Sequence, residues 1–394
     1  MRAYLDHAAT SPLRAEALAA MLPYLERPAG NPSSAHAEGR RARAALDEAH
    51  EVIAACLGAG AREIVMTSGA TEAINLALKG AAWAAKARGN QLITTAVEHH
   101  AVLHALRHLE KFGFEVVELP VDRYGRLDPD QLGAAIGDRT VLVSLQLANN
   151  EVGTIQPIAE ALERVRHHKG ILVHLDAVAA APFVPIDLGV LDADLLSVAA
   201  HKLEGPAGAG ALFVRRGTTI MPQAHGGSQE RYRRAGTEDV ASAVGFAAAF
   251  RLAVEEREAT RHRLRRLRER LSQAVTALPG VELSGHPRDR LPGLLSVVAQ
   301  GIGGAEAVAA LDLEGVAAST GSACTTGSPE PSHVLTAMGF PDDEARGALR
   351  FSLGRPTSEE ELAVAIDTVP RVLADQQAAR AALAEDPLGQ GSPA

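Results

Sequence analysis

The chain has 394 residues, 46% of them hydrophobic and 22% charged, so it can bury a sizeable core and is expected to form two domains. Its formal net charge of -9 argues against a nucleic-acid-binding surface, and no apolar run reaches the length of a membrane span. Two cysteines are too few for a disulfide framework and the first residues show no signal peptide, so we expect a protein of the reducing cytoplasm.

The first 57 residues are predicted to contain an extended arm and two helices. The arm, residues 1–13, carries Asp6 and His7, and a helix over 13–27 follows it. The loop at 30–36 precedes a long helix that Ser33 or Ser34 can cap. Cys56 lies near the end of this helix among Ala and Leu, and we interpret it as a small buried hydrophobic residue.

A possible phosphate site follows the first predicted strand, residues 63–67. The turn Ser68-Gly69-Ala70-Thr71 places backbone N–H groups and a hydroxyl at the start of a helix, where phosphates bind readily. An ordinary helix start with Glu72 in the first turn explains the same residues equally well. The sequence around the turn leaves both interpretations open.

A cluster of histidines follows the next predicted strand, residues 91–95. His99 comes just after the strand, which suits it to lie over a planar cofactor or to move protons. His100, His104 and His108 share one helix face by their spacing. No Cys or carboxylate accompanies them in register, so a metal site is not favoured.

Strands and helices alternate through the middle of the chain. Strands are predicted at 114–119 and 140–145, and helices at 128–136 and 158–168. This alternation predicts an α/β fold with a mostly parallel, doubly wound sheet. The loop after the last of these strands contains Asn149 and Asn150, which are typical turn formers but can also donate to a ring oxygen.

Two short apolar runs, residues 171–175 and 195–200, organise the candidate site. The first is followed by Asp176, and the second leads into His201 and Lys202. Ligands bind at strand ends of such sheets. A carboxylate and an amine at one sheet edge suggest pyridoxal phosphate, which needs a Lys for its Schiff base and an acid for its pyridine nitrogen.

The choice of Lys202 rests on comparison with the other lysines. The chain has five, and Lys202 alone follows an apolar strand and precedes a glycine-rich turn. The remaining four are predicted near helix ends, where lysine is common. A lysine that closes a strand with its charged end in solvent is the equally weighted alternative. The glycines at 205–210 follow the lysine and precede a strand, the reverse of a dinucleotide-binding motif.

The polar loop at 225–237 leads into a long arginine-rich helix. Thr237 can cap this helix, and Leu264, Leu267 and Leu271 form an apolar stripe along it. Its arginines suit a solvated face better than a basic partner surface.

The C-terminal third is predicted to form a smaller α+β domain. It contains strands near 294–299 and 348–353, and helices near 304–312, 332–338 and 358–384. We place the large domain at 14–255 and the small domain at 1–13 plus 256–394.

Cys324 lies in a loop of small polar residues, 319–331, whose composition predicts an exposed and mobile thiol. Such a cysteine is a candidate nucleophile, although an incidental loop cysteine fits this loop as well.

Taken together, the motifs resemble those of the NifS/IscS-like cysteine desulfurases, a branch of the class V aminotransferase superfamily. They span residues 6–355 in the order found in that family. The matching motifs are D-H-A-A-T, N-P-S-S-A-H, G-A-T-E, E-H, N-N-E-V-G, L-D-A, H-K, R-A-G-T, G-S-A-C-T and R-F-S-L-G-R. The resemblance implies pyridoxal phosphate fold type I, L-cysteine as substrate, a homodimer, and a sulfur-acceptor protein as partner.

The resemblance also implies a role for each matching residue. Lys202 bonds the cofactor covalently, Asp176 pairs with the pyridine nitrogen, and His99 stacks on the ring and assists proton transfer. Cys324 accepts the sulfur as a persulfide. The resemblance implies binding roles for the remaining residues. The cofactor phosphate is bound by Ala70, Thr71 and His201, and the phosphate of the neighbouring subunit by Thr237. The ring hydroxyl is contacted by Asn150, and the substrate is bound by Arg350 and Asn31.

Two positions depart from the family pattern. Ala179 stands where a Gln is expected to bond the ring hydroxyl, and Ala199 stands where a Ser is expected on the phosphate. These losses motivate one alternative, a dimeric scaffold subunit poor in cofactor. The other alternative is a related enzyme that acts on selenocysteine or transfers an amino group. The sulfur acceptor, in iron–sulfur assembly or tRNA thiolation, is not identified by the sequence.

Overall fold

The computed structural model describes residues 2–26, 30–321 and 331–385. The N-terminal arm contributes one short strand, β1 (Ala3–Tyr4), and the helices α1 (Ala15–Leu25) and α2 (Ala37–Leu57) follow. Ser33 and Ser34 do not cap α2 as the sequence predicted. His36 caps it, because Ser33 N donates to Asn31 Oδ1 in a preceding turn and the helix begins only afterwards.

Seven strands form the large sheet, in the spatial order β2-β8-β7-β6-β5-β3-β4. In chain order they are β2 (Ile64–Thr67), β3 (Gln91–Thr95), β4 (Glu115–Leu119), β5 (Thr140–Gln146), β6 (Leu172–Asp176), β7 (Leu195–Ala199) and β8 (Gly210–Val214). Neighbours from β4 to β7 pair in parallel, and β8 pairs antiparallel with β7 and β2. The predicted mostly parallel α/β sheet is confirmed.

The helices between these strands are amphipathic and cover the sheet. They are α3 (Ala70–Ala85), α4 (His100–Glu110), α5 (Pro129–Ala135) and α6 (Ile158–Arg166). The chain runs outward from β3 to β4 and then returns to β5 on the other side of β3. This reversal makes a crevice at the carboxyl ends of the strands, which is where open α/β sheets bind ligands.

The long helix α7 (Val240–Thr276) joins two hydrophobic cores. Phe246 and Phe250 pack in the core of the large sheet, whereas the predicted stripe Leu264, Leu267 and Leu271 is buried in a second core. Thr237 does not cap this helix, contrary to the prediction. Asp239 does, with Oδ1 accepting from Ser242 N at 3.0 Å, and a carboxylate also interacts favourably with the helix dipole.

A smaller α+β region surrounds the second core. Its strands are β9 (Val281–Leu283), β10 (Leu294–Ala299), β11 (Val316–Ala317) and β12 (Ala348–Ser352), and its helices are α8 (Gly304–Leu313), α9 (His333–Ala337), α10 (Asp342–Ala345) and α11 (Glu359–Glu385). β12, β10 and β9 form an antiparallel sheet, and β1 returns from the N-terminus to pair with β11. The exact domain boundaries stay a prediction. Within the described ranges, no helix combines the length and apolar character needed to span a membrane.

Candidate active site

A cavity of about 530 Å³ opens at the carboxyl ends of the parallel strands. The cavity is lined by residues at or just after the ends of β3, β5, β6 and β7. Residues of the N-terminal arm, the start of α3 and one residue of β12 also line it. Eight residues singled out from the sequence line it: Ala70, Thr71, His99, Asn150, Asp176, His201, Lys202 and Arg350.

Lys202 reaches the cavity from the 3-10 turn Ala200–Leu203 directly after β7. Its Nζ donates to Ala8 O and, at 2.7 Å, to Ala9 O. These carbonyls belong to the N-terminal arm, which β1 ties to the second core. The contact could not be read from sequence spacing, because it joins residues almost two hundred positions apart. Of the other lysines, Lys79 lies inside α3 and not near its end.

Asp176 is the last residue of β6 and is buried beside the same cavity. Its Oδ1 accepts from Val178 N at 2.9 Å. Burial raises the pKa of Asp176 to about 6, while the hydrogen bond from Val178 and the charge of Lys202 oppose this shift. A buried carboxylate of this kind gains from a cationic partner, because the partner replaces lost solvation.

His99 caps α4, and its Nδ1 accepts from Ala101 N at 3.0 Å. An accepting Nδ1 carries no proton, so Nε2 carries the proton of the neutral ring. Burial, with the nearby charge of Lys202, lowers the pKa of His99. The cavity therefore has a neutral imidazole on one wall at neutral pH.

Glu98, beside His99, is a buried acid whose role the sequence does not indicate. Oε1 accepts from Thr95 Oγ1 at 2.7 Å and from Gln146 N at 3.1 Å, and Oε2 has no hydrogen-bond partner among the described residues. Burial raises the pKa of Glu98 to about 8. The carboxyl is mostly protonated at neutral pH, so it does not place a second negative charge near Asp176.

The turn before α3 forms the other end of the cavity. Gly69 caps the helix with φ 144, and a Cβ added there would meet no atom within 4 Å, so the space beside the helix N-terminus is open. Glu72 Oε2 accepts from Ser68 N at 2.6 Å. His201 lies nearby, and burial and the charge of Lys202 lower its pKa to about 4. Neutral donors and a helix dipole thus face the space where an anion would bind.

Arg350 is buried on β12 and reaches the cavity between the two cores. Its Nη2 donates to Asp6 Oδ1 and its Nη1 to Asn150 O, both at 2.9 Å. Its Nε has no hydrogen-bond partner among the described residues. Asp6 belongs to the D-H-A-A-T motif, but the sequence does not indicate that it pairs with Arg350.

Two predicted site residues in the described part of the chain do not line this cavity, and a third lies outside the described residues. Thr237 is exposed on the loop before α7. Asn31 is also exposed, and its Oδ1 accepts from Ser33 N at 2.8 Å. Cys324 lies outside the described residues. The roles given to these three residues remain predictions.

The two positions that depart from the family pattern lie near the cavity. Ala179 lines it, and Ala199 is buried at the end of β7, three residues before Lys202. Neither side chain can donate a hydrogen bond. Cys56, in contrast, packs against the main core away from the cavity, and burial raises its pKa to about 11, which supports its interpretation as a structural residue.

The comparison with protein families agrees with this arrangement. Residues 3–364 match the model of the class-V aminotransferases. The chain belongs to this family. A similar family member, cysteine desulfurase IscS of Methanosarcina thermophila, is 46% identical over 94% of this chain and 91% of its own length.

Solved structures of similar proteins have the same fold. A NifS-like protein superposes with a TM-score of 0.90 at 37% identity, covering 95% of this chain and 100% of that chain. A structure of SspA in complex with cysteine superposes with a TM-score of 0.78 at 34% identity, covering 89% of this chain and 98% of that chain. The predicted family and fold are confirmed.

Proposed function

We propose that this chain is a cysteine desulfurase that uses pyridoxal phosphate. It removes sulfur from L-cysteine, leaves L-alanine, and passes the sulfur through Cys324 to an acceptor protein. The observation that carries the proposal is the cavity that Lys202 and Asp176 share, with an open helix N-terminus at its other end. The similarity to IscS and NifS-like proteins supports it.

The described residues fit the cofactor. Lys202 supplies the amine, Asp176 a buried carboxylate for the ring nitrogen, and the start of α3 with His201 supplies donors for a phosphate. His99 supplies a neutral imidazole for the ring face. When bound, pyridoxal phosphate holds the substrate amine covalently and accepts the electrons released at the substrate Cα.

The chain's own residues then orient the substrate and move protons and sulfur. Lys202 Nζ takes the proton from Cα, and Asp176 keeps a proton on the ring nitrogen. Arg350 binds the substrate carboxylate, a task suited to its planar guanidinium. The Cys324 thiolate attacks the substrate sulfur, the bond between Cβ and sulfur breaks, and Cys324 retains the sulfur as a persulfide. The two electron pairs left behind, one from the Cα–H bond and one from the Cβ–S bond, each take up one proton, which gives alanine.

The proposal includes a homodimer in the cytoplasm. Thr237 is exposed on the loop before α7, which is compatible with a contact to the neighbouring subunit. The sulfur acceptor is a protein of iron–sulfur assembly or of tRNA thiolation.

Purified protein tests the proposal directly. After incubation with pyridoxal phosphate, we expect a visible absorption band and, with L-cysteine and a thiol reductant, equal amounts of sulfide and alanine. A protein that binds no pyridoxal phosphate, or that releases sulfide without alanine, contradicts it. Parallel assays with selenocysteine establish which amino acid is preferred, and sedimentation establishes the dimer.

Asp176→Asn keeps the shape of the side chain but removes its charge. We expect the combined loss, the fall in affinity for pyridoxal phosphate multiplied by the fall in the rate of alanine formation, to be about thirtyfold or more. The reason is that the ring nitrogen loses its buried ionic partner. Cofactor titration followed by absorption, and the alanine assay, measure the two effects. Asp367→Asn, at an exposed position of α11, is the control for loss of one charge. Equal affinity and activity in both variants contradicts the role of Asp176.

Ala179→Gln and Ala199→Ser are expected to strengthen cofactor binding. Each restores one hydrogen bond, so each should tighten binding of pyridoxal phosphate by about two- to tenfold. Pyridoxal, which lacks the phosphate, is the matched control ligand. Ala199→Ser should improve binding only of the phosphorylated form, whereas Ala179→Gln should improve both, as measured by fluorescence titration. If neither variant binds pyridoxal phosphate more tightly, the alanines at these two positions do not limit its affinity.

A further inference from the structure

A buried ion pair lies outside the candidate active site. His50 on α2 faces Glu230 on the loop before α7, with 3.0 Å between His50 Nε2 and Glu230 Oε2, and their side chains are 5% and 2% exposed. His50 Nδ1 lies 2.7 Å from Leu46 O. A carbonyl oxygen and a carboxylate can only accept, so this geometry calls for an imidazolium that donates from both nitrogens.

Glu230 begins a left-handed turn of three residues without glycine. Glu230, Arg231 and Tyr232 have φ of 45, 57 and 65. L residues seldom adopt this conformation in succession, because Cβ approaches the following carbonyl. Contacts on both sides hold the turn in place. Glu230 is held by His50, and Arg231 donates from Nη1 to Ile64 O at 2.9 Å and from Nη2 to Ala61 O at 3.1 Å.

The same loop contacts the end of the cavity that is open for a phosphate. Two residues after the turn, Arg234 Nε donates to Glu72 Oε1 at 2.8 Å. The other oxygen of Glu72 accepts from Ser68 N at 2.6 Å, and Ser68 lines the cavity. The left-handed turn is therefore linked to Ser68 through Arg234 and Glu72.

We propose that His50 is a positioning residue whose protonated ring holds Glu230 and the left-handed turn, and through Arg234 and Glu72 fixes the phosphate end of the active-site cavity. The last link rests on the proposed function, since it assumes that the ligand there carries a phosphate. The first link, from His50 to the turn, does not depend on any ligand.

The proposal predicts a dependence on pH with a definite sign. Burial lowers the pKa of His50, but the hydrogen bond and charge of Glu230 outweigh burial, so the pKa is raised above its usual value. The stabilisation of the folded protein by protonated His50 is complete below the pKa that His50 has in the unfolded chain. It is lost as the pH rises through the raised pKa of His50 in the folded protein. The other charged groups around the adjoining cavity are Arg43, Asp47, Glu51, Arg62, Arg231 and Glu238.

Hydrogen exchange of the peptide covering residues 229–236, in protein without cofactor, tests the first link. We expect His50→Gln to lower its protection by more than about tenfold, because the buried Glu230 carboxylate loses its hydrogen-bonded cation and is left with the longer contact of 3.9 Å to Arg231 Nη1. The wild type should lose protection at alkaline pH after correction for intrinsic exchange rates. The double variant His50→Gln with Glu230→Gln should keep its protection and show no loss at alkaline pH. Two side-chain amides can form a hydrogen bond with each other, and neither of them titrates.

His262→Gln, at an exposed site on α7, is the matched control and should leave exchange unchanged. The proposal is overturned if His50→Gln protects the peptide as well as this control does, or if the wild type shows no alkaline loss. If His50→Gln fails to fold, the pH profiles of the wild type and the double variant still decide.

Binding of pyridoxal phosphate and of pyridoxal tests the second link. We expect His50→Gln to weaken binding of the phosphorylated form by about tenfold and to leave pyridoxal unchanged. The link to the cavity is overturned if His50→Gln loses protection over residues 229–236 but binds both ligands as tightly as the wild type does. If even the wild type binds neither ligand, the proposed function fails, while the exchange experiment still decides the role of His50.

Discussion

Lys202→Ala is expected to lower alanine formation from L-cysteine by at least about 10²–10⁴-fold, because it removes both the proposed attachment point of the cofactor and the proposed base at Cα. The visible absorption band of the bound cofactor should shift toward that of the free aldehyde. Alanine quantification and an absorption spectrum of the same sample measure the two effects. The expected loss is large because no other lysine lines the cavity in the described part of the chain.

Lys169→Ala is a suitable control for Lys202→Ala, since it also removes one amine but lies in the turn after α6. It should keep the spectrum and the rate of the unchanged protein. Lys202→Arg separates charge from chemistry, because arginine keeps the positive charge but does not bond an aldehyde at neutral pH. Substantial alanine formation by either Lys202 variant would exclude this residue as the attachment site.

Cys324→Ala is expected to reduce sulfide release by about a hundredfold or more while leaving the absorption band unchanged. The thiol is the proposed acceptor of the sulfur, and removal of a nucleophile stops the reaction after the cofactor is in place. Sulfide release, persulfide detection by mass spectrometry and the absorption spectrum give the three measurements. An intact band without sulfide distinguishes this result from loss of the fold.

Cys56→Ala provides the matched control, because the chain has only two cysteines. Cys56 packs against the main core, and burial raises its pKa to about 11. At neutral pH it is therefore almost entirely protonated and unreactive as a nucleophile. We expect Cys56→Ala to keep full activity and the unchanged protein to be alkylated first at Cys324. Sulfide release by both variants at the rate of the unchanged protein would show that neither thiol is needed to carry the sulfur.

The sequence by itself determined the strands that carry the site and the order in which they occur. The apolar runs before Asp176 and Lys202 become β6 and β7, and parallel strands place their carboxyl ends at one edge. Strand patterns of this kind are local, because a buried strand needs only a short run of apolar residues. The sequence motifs likewise indicated the family that the comparison of the chain confirmed.

The sequence did not determine the local starts of helices. Ser33 or Ser34 and Thr237 were predicted as caps, yet His36 and Asp239 cap α2 and α7. Several polar residues near a helix start can act as the cap, and the choice depends on the turn that precedes it.

Only the tertiary structure showed which distant groups meet. The ion pair of Arg350 with Asp6 and the contacts of Lys202 with the carbonyls of Ala8 and Ala9 join the N-terminal arm to the far end of the chain. The buried pair of His50 and Glu230 was likewise absent from any sequence pattern. Such contacts arise from packing of elements remote in sequence, so the spacing of residues along the chain carries no signal for them.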